Sequence, residues 1–420
     1  MKQLLFIILI TKLLISCSVP KAHQSSNLKN ERKHLDSPYV LLISIDGYRH
    51  DYNKIHKPNF LNHFARTGSS LESLRPSYPT KTFPNHLSII TGLYPMNHGI
   101  VANHFYHPTK KLRYSLKDRN SVTNADFYKG VPLWSLAEQD GMRTATYFWP
   151  GSEAKIANHF PTHYMTYNHG TPHEERINKV KSWLKLPKAK RPHFMTLYFH
   201  DVDSAGHRYG PSSEETKKAV VKVDKSIEKL YKFIQNLDYP VNIVITSDHG
   251  MHAVDKKKVI NLTDYNNNLD DEFDYEGSGP LIHFYLKNKK ENNIKRTLRS
   301  LNISPKTHQC YRNQETPKEL HFKDYPAIGD IVCIARHGFY LVMGLSMTPK
   351  GAHGWSQFES KEMNGIFYAQ GDCFKKGYQL QERENVNIYP LLAKILKLNI
   401  THKIDGDLKE MKDLISKKCL

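Results

Sequence analysis

Four short segments of the chain concentrate residue types that hold metal ions. Asp46-Gly47 follows one apolar run, Asp201, Asp203 and His207 follow a second, and Ser247-Asp248-His249-Gly250 closes a third. Gly351-Ala352-His353-Gly354 adds a histidine in a loop that glycine makes pliable. Singly, each has a plain explanation: an aspartate at a strand end often caps the next helix, and among 24 histidines some fall near aspartates by chance. Together, three aspartates and three histidines divide into two mixed nitrogen and oxygen sites of the kind that suits Zn2+. Two such ions about 4 Å apart hold both the attacking and the leaving oxygen of a displacement at phosphorus. That reaction needs a nucleophile. Tyr78-Pro-Thr-Lys-Thr-Phe-Pro-Asn-His86 is a proline-stiffened loop leading into Leu87-Ser-Ile-Ile-Thr91, where a helix is expected to start. A hydroxyl at a helix N-terminus and beside a cation ionises more readily. Thr82 is placed for that role; the alternative is that it only caps the helix.

These residues need elements to carry them. Val40-Leu-Leu-Ile-Ser-Ile45, Phe194-Met-Thr-Leu-Tyr-Phe199 and Val241-Asn-Ile-Val-Ile-Thr246 read as strands buried on both faces. Between the last two, residues 214–236 place Val220, Val223, Ile227, Leu230 and Phe233/Ile234 at helical spacing. Strand, helix, strand in succession predicts an α/β domain with a mixed, mainly parallel central sheet flanked by helices. In such sheets ligands bind outside the carboxyl ends of the strands, where the acidic segments fall. From 256 to 350 the pattern shifts to short strands and a Lys/Asn-rich helix over residues 288–300, predicting a small inserted α+β subdomain. Gly365-Ile-Phe-Tyr-Ala369 then resumes a core strand. The expected organisation is a catalytic core over 37–255 and 351–420, interrupted by the insert.

Length and composition fit that plan. The 420 residues, 39% hydrophobic and 11% aromatic, suffice for a large core and exclude a wholly disordered chain. Sixty Lys+Arg against 41 Asp+Glu give a net charge of +19, which either solvates the surface or draws in phosphorylated substrates. No basic run is interleaved with aromatics, so no nucleic-acid partner is expected. A monomer is expected.

The first 16 residues, MKQLLFIILITKLLIS, form a short apolar run behind a lysine, interrupted by Lys12, and read as a signal peptide. Leu14-Ile15-Ser16-Cys17 resembles the lipobox of bacterial lipoproteins, which implies cleavage before Cys17, lipid on its thiol, and a polar tether over 17–36. The chain would then sit at the outer membrane or cell surface; an ordinary signal peptide would make it periplasmic or secreted. Asn261, Asn302 and Asn399 each open an Asn-x-Ser/Thr site, relevant in a eukaryotic host. Cys310, Cys333, Cys373 and Cys419 remain for an oxidising compartment. Three pairings are open, of which Cys310 with Cys333 and Cys373 with Cys419 are the most local. The absence of a CxxC pair argues against a thiolate zinc site.

The segments PTKTFPNHLSIITGLYPMNHGIVAN (79–103), SIDGYR (44–49), DSAGHRYGP (203–211), SDHGM (247–251) and GAHG (351–354) closely resemble the nucleotide pyrophosphatase/phosphodiesterase family of the alkaline phosphatase superfamily. They keep the family's order over residues 40 to about 400. The resemblance implies an alkaline-phosphatase-like fold and two Zn2+ ions, one held by Asp203, His207 and His353, the other by Asp46, Asp248, His249 and Thr82. It implies Thr82 as nucleophile, forming a covalent nucleotidyl-threonine, and places the Asn103 amide, with help from the Phe83 N–H, on the phosphoryl oxygen. Water activated at the first zinc site would then release a nucleoside monophosphate from nucleoside triphosphates, dinucleotides or NAD. Phe83, Trp149, Tyr167 and Tyr198 resemble positions lining the family's nucleobase slot, where a base stacked between Phe83 and Tyr167 would be bound without strong base preference.

Threonine as nucleophile argues against a sulfatase, whose formylglycine arises from Cys or Ser, while a monoesterase stays open on that ground alone. Two rivals remain: the same chemistry on choline-phosphate lipids or glycerophosphodiesters, and an inactive metal-binding surface lipoprotein. The sequence also departs from the family pattern. The acidic-Pro before the ligand aspartate is Asp201-Val202, the usual HGYDN is His353-Gly-Trp-Ser-Gln357, and a later Gly-Pro is Gly371-Asp372, followed by Cys373. None is a ligand, so these changes bear on substrate preference and on the groups behind the ligands. The nuclease-like and somatomedin-like domains of larger animal relatives are not expected.

Overall fold

The computed structural model describes residues 21–24, 28–288 and 291–420. Tyr39–Ile45 is a strand buried along its whole length, as an apolar, β-branched run covered on both faces should be. It lies parallel to Phe194–Phe199 on one side and to Val241–Thr246 on the other. The sheet continues through Thr144–Tyr147, His163–Met165 and Ala22–Gln24 in one direction, and through Phe367–Gln370, Ser69–Leu71 and Tyr378–Leu380 in the other. Phe367–Gln370 runs antiparallel to Val241–Thr246, so the sheet is mixed but mainly parallel, the architecture expected from the sequence.

Alternate residues of the central strand feed two cores. Leu41, Ile43 and Ile45 pack with Val220, Val223, Ile227 and Leu230 of the Glu214–Ile234 helix. Val40 and Leu42 join the core that holds Leu87 and Ile90 of the Thr82–Thr91 helix. Each buried aliphatic side chain contributes about 1.5–3 kcal/mol. Ser213 starts the long helix by accepting the Thr216 N–H at 3.1 Å. The helix stops at Ile234 rather than Asn236. The Asn59–Thr67 helix follows a proline and lacks a cap of its own; buried Asp224 supplies one, accepting the Phe60 and Leu61 N–H groups at 3.2 and 2.7 Å.

Within the insert, Phe273–Ser278, Leu281–Leu286, Ile331–Ala335 and His308–Arg312 form an antiparallel sheet. The Glu291–Leu301 helix, shifted slightly from the expected 288–300, buries Ile294, Thr297 and Leu301. Cys310 faces Cys333 across two neighbouring strands and is bonded to it, and Cys373 is bonded to Cys419. These are the two most local of the three pairings.

The signal-like residues 1–16 and Cys17 lie outside the described residues. Part of the expected tether is docked: Ala22–Gln24 pairs with His163–Met165 at the sheet edge. Asn30 is buried, donating to Arg191 O at 2.8 Å and accepting from Arg143 N at 2.7 Å. Polar composition there satisfies backbone groups of the core. Among the described residues no helix is long and apolar enough to cross a membrane.

Candidate active site

The three central strands end side by side. Ser44 is level with Tyr198 on one neighbour and with Thr246 on the other, so the residues after Ile45, Phe199 and Thr246 emerge at one edge. Asp46 follows the first strand directly. Asp203 and His207 lie one turn apart on the Asp201–Tyr209 helix, on one face. Asp248 and His249 follow the third strand, and His353 arrives on the loop after the Gly351–Ala352 strand. Gly47 makes the convergence possible. Its φ is +67°, and a Cβ there would lie 2.9 Å from Asp203 Cα.

Two clusters result. His207 Nε2 lies 3.1 Å from His353 Nε2, and Asp203 Oδ1 lies 3.3 and 3.5 Å from these two nitrogens. His249 Nε2 lies 3.4 Å from Asp46 Oδ1, 3.0 Å from Asp248 Oδ2 and 3.3 Å from Thr82 Oγ1. Ligands about 2.0–2.1 Å from a tetrahedral ion stand about 3.3 Å apart, which is the spacing found. The clusters adjoin through the stacked rings of His249 and His353, 3.5 Å between centroids.

Hydrogen bonding at the back of each imidazole fixes its orientation. Nδ1 of His207 donates to Gly351 O, that of His353 to Thr80 O and that of His249 to Gly250 O, at 2.7, 2.7 and 2.9 Å. Each Nε2 therefore turns a lone pair toward the carboxylates. Asp46 Oδ1, Asp203 Oδ1 and Asp248 Oδ2 are buried and receive no hydrogen bond. Lone pairs and orphaned carboxylate oxygens converging on shared points fit divalent cations and little else. Burial, then repulsion from Asp248 and Asp203, holds the Asp46 carboxyl well above the usual range; burial and Asp203 do the same to Asp248. Burial works against Asp203 too, but the neighbouring His207 pulls its carboxyl down. A positive charge placed between these groups would let Asp46 and Asp248 ionise as well.

Thr82 is the first residue of the Thr82–Thr91 helix, with its hydroxyl at the positive end of the helix dipole. Pro84 sits in the first turn, where its missing N–H costs nothing. Asn85 braces the preceding loop, accepting from Ser77 N at 2.7 Å and donating to Pro79 O and Lys81 O at 3.0 and 2.9 Å. Asn103 accepts the Phe83 N–H at 3.0 Å. Its carboxamide is thereby anchored by oxygen, which leaves the NH2 as the donor side, while the Phe83 N–H is engaged in holding it.

The four aromatic residues separate into two pairs. Tyr167 is 37% exposed and Phe83 is half-buried, so both keep surface for a ligand. Trp149 is 1% exposed, donates Nε1–H to His86 O at 3.2 Å and packs on the His86 ring. Tyr198 is 6% exposed and donates its hydroxyl to Asp46 Oδ2. These two are buried behind the exposed pair, Trp149 packed on His86 and Tyr198 bonded to Asp46. Asp201 points away from the clusters, toward His173 and Lys222.

Two contributors were missed from sequence. His86 lies one helical turn after Thr82, a spacing that could have revealed it. Its Nδ1 donates to Thr82 O and its Nε2 accepts from Ser44 Oγ, both at 2.8 Å, tying the helix start to the central strand. Lys81 precedes Thr82; burial lowers its ammonium to about 8 against the pull of Asp203.

A family model described as type I phosphodiesterase/nucleotide pyrophosphatase matches residues 40–356. The chain is similar to a venom phosphodiesterase of Naja atra, 36% identical over 378 residues covering 86% of this chain and 45% of that protein. It is equally similar to Homo sapiens ectonucleotide pyrophosphatase/phosphodiesterase family member 1, 36% identical over 376 residues and 40% of that protein. The chain thus spans less than half the length of these curated relatives. Among solved structures, murine ectonucleotide pyrophosphatase/phosphodiesterase 5 superposes with a TM-score of 0.84 at 28% identity, covering 90% of this chain and all of that one. An inactive variant of the same murine protein, in complex with AMP, matches equally well.

Proposed function

The chain belongs to the type I phosphodiesterase/nucleotide pyrophosphatase family, and on that premise we propose that it hydrolyses phosphodiester and pyrophosphate bonds of nucleotides to 5′-nucleotides. The observation that carries the reading is the Thr82 hydroxyl, at a helix N-terminus and 3.3 Å from His249 Nε2, beside the converging side chains of Asp46, Asp203, Asp248, His249 and His353, with His207 against Asp203 and His353. Asp203, His207 and His353 would hold one Zn2+, and Asp46, Asp248, His249 and Thr82 the other. When bound, these ions supply the positive charge that favours ionised oxygen nucleophiles and offsets charge developing on the phosphoryl group.

The residues of the chain do the rest. Thr82 Oγ1 attacks phosphorus in line, its proton passing to solvent water, and the P–O bond to the leaving group breaks with its electron pair on the departing oxygen, giving a nucleotidyl-threonine. The Asn103 NH2 offers a hydrogen bond to a non-bridging oxygen as its charge grows. Water then attacks the same phosphorus from the opened side, restoring Thr82 and releasing the 5′-nucleotide. The Asp203/His207 side of the site is the more exposed, with His207 36% open to solvent, and offers the route for that water. Phe83 and Tyr167 would receive the base.

Those open ring faces suit a quaternary ammonium as well, which keeps a choline-phosphate head group as the second reading. The two disulfides support an exported protein, and Cys17 is proposed as its lipid anchor.

Turnover of p-nitrophenyl thymidine 5′-monophosphate, p-nitrophenylphosphocholine and p-nitrophenyl phosphate by the zinc-loaded chain tests the reading. The nucleotide diester is expected to dominate. A preference for the choline ester would transfer the site to the second reading, and a preference for the monoester would overturn both.

A further inference from the structure

We propose that His252, His337 and Glu362 form a third site for a borderline divalent cation such as Zn2+, separate from the Thr82 centre, which ties the inserted subdomain to the catalytic core. One ligand atom from each of these residues falls within a sphere of 4.8 Å. Glu362 Oε2 is shared by the two imidazoles: His252 Nδ1 contacts it directly, and His337 Nε2 lies 3.4 Å away. The ring centroids are 4.2 Å apart. Two imidazoles and one carboxylate form a donor set that selects Zn2+, Co2+ or Cu2+ over Ca2+ or Mg2+.

The groups around the cluster hold it ready. Trp355 meets both rings edge to face, at 5.4 and 5.7 Å, and is itself fixed by its Nε1–H on Phe339 O at 2.9 Å. Arg49 occupies the other carboxylate oxygen, Oε1, at 2.9 Å. Its charge is already matched by Asp51, which accepts from Nε at 2.6 Å and from Nη2 at 3.1 Å. One arginine thus faces two carboxylates, and the charge left over stands on Oε2, between the histidines. All three side chains are partly exposed, so an ion can enter and complete its coordination with water.

The three residues come from separate parts of the fold. His252 is in the His252–Ala253 strand, directly after the segment that carries Asp248 and His249. Glu362 is in the Lys361–Met363 turn, whose backbone receives the Met251 N–H at 3.1 Å. His337 follows the Ile331–Ala335 strand of the insert. A cation here pins the insert against the loop that positions His249, while touching none of the reacting atoms. Its effect is on the persistence of the fold around the site.

The test compares the metal-stripped full chain with His252→Ala and with His337→Asn, each equilibrated with Zn2+ and analysed for bound metal. Wild type should retain about one equivalent per chain more than either variant, with a larger zinc-induced rise in Tm. Because the readout is a difference, it does not depend on how many ions the Thr82 centre holds. Cleavage of a small diester by the variants reports that they have folded. As a spectroscopic readout, Cu2+ added to the metal-stripped full chain should give one more electron paramagnetic resonance signal with nitrogen couplings from two imidazoles in wild type than in His337→Asn. Equal metal content in wild type and variants, or the absence of that additional signal, would reduce the cluster to an ion-pair network and overturn the proposal.

Discussion

Tyr198 and Tyr167 sit 6.3 Å apart, ring to ring, yet they act on different things. Tyr198 spends its hydroxyl on Asp46, so Tyr198→Phe should weaken metal binding about 10–100-fold and change KM for substrate little. Tyr167→Ala should do the reverse, raising KM for a nucleotide diester far more than for bis-p-nitrophenyl phosphate, with metal affinity unchanged. Chelator competition and steady-state kinetics on the same preparations separate the two. The sequence could not distinguish these tyrosines. Both follow the family's pattern, and the difference between a slot-lining ring and a ligand support lies in burial, which depends on elements distant in the chain. The proposed ligand residues were legible because each follows a strand end, directly or on the helix just after it, or stands in a glycine-rich loop. His86 and Lys81 were not: the one-turn spacing of His86 from Thr82 is a faint signal until Ser44 is brought alongside, and Lys81 carries none until Asp203 is.

The loops after the central strands are positioned by close backbone approach. At Gly47, any other residue must hold φ near +67° and also displace Asp203. Gly47→Ala should therefore cost about 1–2 kcal/mol in backbone strain and push the two ligand clusters apart. The expected result is a folded protein, by circular dichroism, that retains neither metal at concentrations saturating for wild type. Full metal content in this variant would show that the loop adapts and that the contact is not a requirement. The buried strands were readable from their unbroken apolar runs, and the long helix from its spacing. The docking of residues 22–24 and 28–36 was not, because polar side chains that satisfy core backbone groups, such as Asn30, look in sequence like those of a solvated tether.

Buried imidazoles contribute to the pH response of the whole molecule. His98 is fully buried, donates Nε2–H to Pro84 O at 3.0 Å and accepts the Ile100 N–H at Nδ1, and burial lowers its pKa to about 3. His193 and His283 are likewise buried and are lowered to about 4. An imidazole in the unfolded chain titrates near ~6.5. Between those values the unfolded state binds a proton that the native state refuses. Stability is therefore full above about pH 6.5 and falls with acidification, by up to ~1.4 kcal/mol per pH unit for each such group. Chemical denaturation of metal-free protein from pH 7 to 4.5 should show this slope, and His98→Gln should reduce it by about one proton's share. An unchanged slope would mean that His98 titrates normally in the folded chain.

The central claim is that Thr82 is the nucleophile of a two-metal centre. Turnover of p-nitrophenyl thymidine 5′-monophosphate by Thr82→Ala, with metal content measured on the same sample, tests it most directly. The account predicts a loss of at least ~10³-fold with bound metal undiminished. Turnover within about tenfold of wild type would contradict it, because a hydroxyl that can be removed at so little cost is not the group that attacks phosphorus.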